Sequence, residues 1–290
     1  MNMKNTIYQA LTDRILAELD KGTVPWSQPW VSRAPVNAVS NTTYRGINTL
    51  LLNMAGFSDN RWLTYKQSAD LGGNVKKGEK GTQIVFWKFF DGKSKDVDDQ
   101  HQQKQIPLCR IYTVFNVSQC ERVLVSDGGK LPAIEPISKT SDGSAIEAAQ
   151  QLLENMPNAP HMQKSDHAAY VPLRDVVFMP DSKMFRSAAG YFSVLAHEIC
   201  HSTGHISRLN RKAVTGKVLF GSEDYSEEEL VAELGACFIS GEMGIEIDIP
   251  NSAAYIENWR KALSNDNRLI VRAASQAQKS ADYILRRSES

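Results

Sequence analysis

The chain of 290 residues contains no apolar run that approaches the roughly 20 residues needed to cross a bilayer. Its first stretch, MNMKNTIYQALTDRILAELDKG, alternates charge with apolar residues at helical spacing and lacks the unbroken apolar segment of a secretory signal. The expectation is a cytoplasmic protein with no membrane contact. Cysteine is scarce: Cys109, Cys120, Cys200 and Cys237 form no C-x-x-C pair, so neither a zinc ribbon nor a thioredoxin-type motif has support. Reduced, mostly buried thiols are expected instead. Excess charge is also missing, with 33 basic residues against 33 acidic ones. A general basic coat for nucleic acid is therefore excluded, whereas a local patch is not. No internal repeat and no low-complexity tract is present.

Charge is nevertheless polarised. Residues 61–93 hold Arg61, Lys66, Lys76, Lys77, Lys80, Lys88 and Lys93 against Asp70, Glu79 and Asp91, while acids cluster later, as in Glu227-Glu228-Glu229. The length fits two domains of roughly 130–150 residues, and the best boundary is SDGGKLPAIEPISKTSDG at 126–143, rich in Gly, Pro, Ser and Asp. The division is 1–127, a linker at 128–143, and 144–290.

The fold class read from the pattern is α+β. In the first domain, residues 4–21 form an amphipathic helix carrying Ile7, Leu11, Ile15, Leu16 and Leu19. A turn and a short apolar helix follow at 44–55, another helix runs from Thr64 to about Leu71, and strands span 83–90 and 106–117 around a polar loop at 91–105. The second domain reads as mostly helical with one small sheet. A helix at 144–156 precedes the strand Val176–Met179, which stops at Pro180. Then come a long helix at 187–203 ended by Gly204, a helix at 226–243, and further helices in 251–286.

The long helix carries His197-Glu198-Ile199-Cys200-His201. Two histidines four apart share a helix face and reach one ion, and neutral imidazole suits Zn²⁺, with Mn²⁺ as the alternative. Glu198, next to the first ligand, is placed to take a proton from a metal-activated water. The spacing H-E-x-x-H is that of the zincins. Cys200 faces away from the metal on this helix. A metzincin ligand would stand where Ser207 is, and no histidine lies beyond His205, so the third ligand must come from elsewhere. His205 itself follows a helix-breaking glycine and is read as supporting a ligand or facing substrate. The acidic helix offers Glu229 and Glu233, four apart on one face. This is the gluzincin arrangement: Glu229 is favoured as ligand and Glu233 as the carboxylate hydrogen-bonded to a ligand histidine, with the reverse open. Glu227 and Glu228 read as a solvated first turn. The strand Val176–Met179 is a candidate bed for an extended peptide. Tyr170 reads as structural rather than as an oxyanion donor, and Arg208 and Arg211 as solvated surface.

In the first domain, aromatic residues alternate with cationic and amide ones. Tyr44, Arg45 and Asn48 stand near its start; Trp62, Tyr65, Lys66 and Gln67 follow; Lys76, Lys77 and Lys80 precede Trp87 and Lys88. Cations for phosphates and flat rings for bases are what single-stranded nucleic acid requires.

The motifs Tyr44-Arg45-Gly46-Ile47-Asn48, Trp62-Leu63-Thr64-Tyr65-Lys66-Gln67, Lys77-Gly78-Glu79-Lys80-Gly81 and Phe115-Asn116-Val117-x-Gln119 stand in that order. With His197-Glu198-x-x-His201-Ser202-Thr203-Gly204-His205 and Glu229-Leu230-Val231-Ala232-Glu233, they resemble the ArdC-type antirestriction proteins of conjugative plasmids. The N-terminal part is also similar to the N-terminal region of TraC-type primases. The resemblance implies an N-terminal single-stranded-DNA-binding domain and a C-terminal zincin-like metallopeptidase domain. It also implies protection of incoming plasmid DNA from host restriction. The candidate peptidase substrates are a host restriction protein, a DNA-bound protein or the chain itself. The alternative is a pure single-stranded-DNA-binding protein whose metal only holds the fold. A metal-dependent nuclease is disfavoured, because one His/His/Glu site suits carbonyl hydrolysis better than two-metal phosphodiester cleavage.

Overall fold

In the computed structural model the described residues are 3–26, 34–91, 105–122, 142–216, 222–248 and 253–287. Trp30, His101 and most of the 91–105 loop and of the 128–143 linker lie outside them. In chain order the helices are α1 (Met3–Leu19), α2 (Ile47–Asn53), α3 (Tyr65–Asp70), α4 (Asp142–Asn155), α5 (Ala188–Ser202), α6 (Lys212–Thr215), α7 (Glu223–Met243), α8 (Ala253–Asn265) and α9 (Leu269–Ile284). The strands are β1 (Val36–Asn37), β2 (Arg61–Thr64), β3 (Asn74–Val75), β4 (Thr82–Asp91), β5 (Gln105–Asn116), β6 (Cys120–Glu121), β7 (His161–Lys164), β8 (Ala169–Val171) and β9 (Val176–Met179).

These elements form two compact units that are not consecutive stretches of chain. The first takes the described residues up to Pro35, the segment Thr43–Met54, and everything described from Asp142 onward. Helix α1 packs on α8, and α2 on α9, so two N-terminal helices belong with the C-terminal ones. Trp26 meets Trp259 edge-on with ring centroids 5.2 Å apart. Gly46 starts α2 at a positive φ of 57°, and its N–H donates to Gln278 Oε1 at 2.9 Å. The adjoining Arg45 is paired with the buried Asp282. At the centre, α7 lies against both α5 and α9. Helix α5 buries Leu195, Ala196, Ile199 and Cys200, and α7, packed against it, buries Leu230, Val231 and Leu234. Burying each of the larger side chains stabilises the fold by about 1.5–3 kcal/mol. A Cβ added at Gly235 would stand 2.5 Å from Cys200 Sγ, so α5 and α7 approach where neither has bulk. The small sheet has the order β7-β9-β8, β7 parallel and β8 antiparallel to β9. The strand β9 is therefore central. It is not an edge along which a peptide could add; β7 and β8 are the two edges.

The second unit comprises Val36–Thr42 and the described residues from Ala55 to Arg122. Its main sheet has the order β1-β2-β5-β4, and β3 pairs with β6 separately. The long β4–β5 hairpin runs antiparallel from Thr82↔Val114 to Asp91↔Gln105. Helix α3 opens with a capping box: Thr64 Oγ1 accepts the Gln67 N–H, and Gln67 Oε1 accepts the Thr64 N–H at 2.8 Å. Gln67 also bonds Asn37. No described helix is long and apolar enough to cross a membrane.

Candidate metal centre

The motif helix α5 begins at Ser187, whose Oγ accepts the Gly190 N–H at 2.9 Å and donates to Asp248 Oδ2. It ends at Ser202, just before Gly204. That glycine is required by packing: a Cβ there would lie 2.4 Å from Val214 Cγ2. With one face of α5 buried in the core, His197, Glu198 and His201 are left on a cavity of about 440 Å³.

Across that cavity stands α7. His197 Nε2 and His201 Nε2 are 3.1 Å apart, and each is 3.6 Å from a carboxylate oxygen of Glu229. In a tetrahedral site with bonds of about 2.0–2.1 Å, ligand atoms stand about 3.4 Å apart. The three donors are spaced to share one divalent ion, and they are the cluster of that kind found among the described residues. Glu233 Oε1 is 3.8 Å from His197 Nδ1, a buried nitrogen with no hydrogen-bond partner. The acid is one short movement from fixing that imidazole's tautomer.

A residue read from the sequence as solvated belongs here too. Glu228 is only 6% exposed, and its Oε1 lies 3.2 Å from His201 Nδ1. Arg211 holds the same carboxylate through Nε at 2.9 Å and also reaches the carbonyl of Cys200. Arg211 is therefore buried structure rather than surface. So is Arg208, which pairs with Asp175 and donates to the Ser202 carbonyl at 2.9 Å. Glu227 keeps its outward reading and pairs with Arg272. Tyr170 donates its hydroxyl to Asp175 Oδ1 at 3.0 Å, which is the structural role expected of it. Its backbone N–H faces the motif helix instead and donates to Glu198 Oε2 at 2.8 Å. His205 bonds Ser207 through Nδ1 and is not among the described residues lining the cavity.

Burial, with His201 nearby, holds the His197 imidazole well below its ordinary pKa. Burial would lower His201 as well, but the Glu228 hydrogen bond and the charges of Glu229, Glu228 and Glu198 raise it to about 9. Glu198 is pushed up by burial and by Glu229, against the pull of His201 and the Tyr170 N–H. Glu233 is raised to about 8 by burial and then by Glu229. Glu228 ends below its usual value because Arg211 and His201 outweigh its burial. Burial drives the Cys200 thiol to about 12, so it is inert packing.

In the second unit the structure redistributes the residues proposed for DNA. Trp62 is 2% exposed and packs edge-on against Phe57, so it has no open ring face for a base. Gln67 is committed to its capping box. Tyr44, Arg45 and Asn48 fall in the first unit, and Arg45 is neutralised by Asp282. Tyr65, Lys66, Lys76, Lys77 and Lys80 are exposed, with Lys66 paired to Asp70 and Lys76 donating to the Ser118 carbonyl. Trp87 and Lys88 lie in β4, with side chains outside the described set. The strand register brings further aromatic and cationic side chains together on this unit. Phe86 and Tyr112 are exposed and meet edge-on at 6.2 Å, with Arg110 directly opposite Phe86.

Residues 5–115 match the family model described as the N-terminal domain of anti-restriction factor ArdC. Residues 147–276 match a zincin-like metallopeptidase model. The chain is 36% identical to DNA primase TraC of Escherichia coli over 98% of its own length, and spans 27% of that longer relative. That likeness includes the metal-centre half as well as the N-terminal part. The metal-free crystal structure of the antirestriction protein ArdC from plasmid R388 matches with a TM-score of 0.76 at 35% identity, over 96% of each chain. Its Mn(II)-bound structure matches at 0.75 and 34% identity, over 99% of this chain and 98% of that one. The chain belongs to the ArdC antirestriction family and carries that family's pairing of an ArdC N-terminal domain with a zincin-like metallopeptidase domain.

Proposed function

We propose that this chain binds single-stranded DNA through its second unit and hydrolyses a peptide bond at the His197, His201 and Glu229 centre. Together these protect incoming plasmid DNA from host restriction. The observation that carries the reading is that Glu198 opens on the same cavity as the three-donor cluster. Bound there, a divalent ion, zinc by its donor set or manganese as in the R388 relative, acidifies water and polarises a carbonyl.

The protein supplies the rest. Glu198, with its pKa raised by burial, is suited to accept a proton and to release it. Hydrolysis adds water across the C–N bond. The water oxygen bonds to the carbonyl carbon, Glu198 carries a proton from that oxygen to the departing nitrogen, and the C–N electron pair leaves with the amine. Glu228 orients His201 from behind, and Glu233, 3.8 Å from His197 Nδ1, would do the same for His197 once it closes that gap. The edge strand β8 lines the cavity and would be the bed for an extended peptide once Glu198 releases the Tyr170 N–H that it now holds. A phosphodiester substrate is disfavoured: the described lining residues include Glu198, Glu228 and Glu229 and neither lysine nor arginine. The protein cleaved would be part of the restriction machinery or bound to the DNA.

On the DNA side, Tyr65, Phe86 and Tyr112 offer exposed rings, and Arg110, Lys77 and Lys80 offer charge. Conjugation into a restricting recipient tests the coupling of the two activities. Glu198→Ala is expected to retain DNA binding and metal and to lose protection. If protection persists unchanged, the DNA coat alone is protective and the metal only supports the fold.

A further inference from the structure

The motifs Lys77-Gly78-Glu79-Lys80-Gly81 and Phe115-Asn116-Val117-x-Gln119 are distant in the chain, and one buried side chain of the second unit joins them. Gln119 is 3% exposed. Its Oε1 accepts the Asn116 N–H at 2.9 Å, while Nε2 donates to Glu79 Oε2 at 2.8 Å and to the Lys80 carbonyl at 3.0 Å. The loop is pinned at its other end as well. The Lys76 N–H donates to the Gln119 carbonyl at 2.9 Å, and Lys76 Nζ donates to the Ser118 carbonyl at 2.7 Å. Between these anchors the Glu79 N–H reaches the Lys76 carbonyl at 3.2 Å, closing a tight turn in which Gly78 takes a φ of +90°.

What this frame presents is positive and open. Lys77 and Lys80 are exposed and form no ion pair among the described residues, while Glu79, the acid between them, is held by Gln119. At the tip, the N–H groups of Lys77 and Gly78 have no partner among the described residues. A Cβ added at Gly78 would meet nothing within 4 Å, so the space over the turn is free. Rings stand beside it. Gly81 lies against Phe115, whose ring a Cβ there would approach to 3.0 Å, and Phe115 meets Tyr65 edge-on with centroids 6.4 Å apart. Tyr65 is 61% exposed. Phe115 and Tyr112 stand at odd spacing in β5 and point to opposite faces of the sheet, so this surface is separate from the Phe86–Tyr112 pair.

We infer that residues 76–81 form a preformed seat for a backbone phosphate of a single DNA strand. The inference rests on the DNA-binding reading above and gives it a fixed site. Lys77 and Lys80 supply the charge, an unpaired base beside that phosphate stacks on Tyr65, and Gln119 is a positioning residue that touches no DNA. Lysines on a loose loop would have to be ordered when the strand arrives, at a cost in entropy. A loop already tied to Gln119 avoids most of that cost.

The test titrates the full chain with a fluorescent thymidine oligonucleotide across a salt series. Lys77→Gln and Lys80→Gln should each reduce the slope of log K against log salt by about 0.7. Glu79→Gln and Glu79→Ala remove the same charge, but only the glutamine still accepts from Gln119. Glu79→Gln should therefore bind about fivefold more tightly than Glu79→Ala, at equal slope. Gly78→Ala keeps every charge, strains the turn, and should bind about tenfold more weakly than wild type. All these positions are exposed, so the variants should keep the wild-type fold, checked by circular dichroism. Equal affinity in the two Glu79 variants, with Gly78→Ala unchanged, overturns the preformed seat. Unchanged slopes in both lysine variants overturn the loop as a phosphate contact. A parallel titration with inorganic tripolyphosphate, followed by the amide NMR shifts of Lys77 and Gly78, judges the seat without DNA. If tripolyphosphate moves those amides while the oligonucleotide fails to bind, the seat stands and the DNA-binding reading falls. If neither ligand engages the loop, both fall.

Discussion

Glu228 Oε1 lies 3.2 Å from His201 Nδ1, and Arg211 holds the same carboxylate from its other side. The histidine is thus oriented by a buried ion pair that reaches it from two other elements of the chain. Removing the acid has two separable effects. Glu228→Ala leaves Arg211 as an unpaired buried cation, which costs about 3–5 kcal/mol. Glu228→Gln keeps a hydrogen bond at His201 but removes the charge, and should weaken metal binding by about 10–100-fold with a smaller loss of stability. Competition against a fluorescent chelator reads the affinity, and denaturant unfolding reads the stability. Equal metal affinity in wild type and both variants would show that Glu228 serves the core alone.

A second expectation concerns the ion. Two imidazoles and a carboxylate at tetrahedral spacing bind metal only in the folded state, so the ion must stabilise the fold by mass action. At about 1,000 times Kd that amounts to about 4 kcal/mol. Chelation should lower the melting temperature of the loaded protein and leave that of His197→Ala unmoved. A chelator that shifts both equally acts on something other than this centre.

The reach of the sequence follows how local each signal is. The motif helix, its histidine face and the Glu229/Glu233 pair depend on spacings of three or four residues, which a helix converts directly into proximity. Glu228 was illegible for the complementary reason. Three consecutive glutamates at a helix start describe a solvated turn, and what buries this one is Arg211, 17 positions away. Trp62 misled in the same way: its neighbours Tyr65 and Lys66 are exposed, but β2 pairs with β5 and turns the indole into the core. The association of α1 and α2 with α8 and α9 joins opposite ends of the chain, and no local pattern records it.

Gly235 is the close contact that lets α7 approach the motif helix. Its missing Cβ leaves room for Cys200 Sγ. Gly235→Ala should destabilise the protein by about 1–3 kcal/mol through overpacking, despite the better helix propensity of alanine. Cys200→Ala removes the sulfur from the same space, so the double variant should recover part of that loss. A thermodynamic cycle by urea unfolding measures the coupling. Strict additivity would mean that the helices separate elsewhere to admit the methyl group.

The proposed DNA surface can be separated into ring and charge contributions. Phe86 and Tyr112 are exposed by 57% and 41%, whereas Trp62 is buried, so stacking should depend on the first two and not on the tryptophan. Phe86→Ala should cost about 1–3 kcal/mol in single-stranded-DNA affinity, with the salt dependence unchanged, since no phosphate contact is lost. Arg110→Gln should reduce the slope of log K against log salt by about 0.7, the contribution of one phosphate on a single strand. Trp62→Phe should lower the melting temperature and leave affinity where it was. Fluorescence anisotropy across a salt series distinguishes all three. If Trp62→Phe alone weakens binding, or if Phe86→Ala changes the slope while Arg110→Gln does not, the strand lies across a different face of this unit.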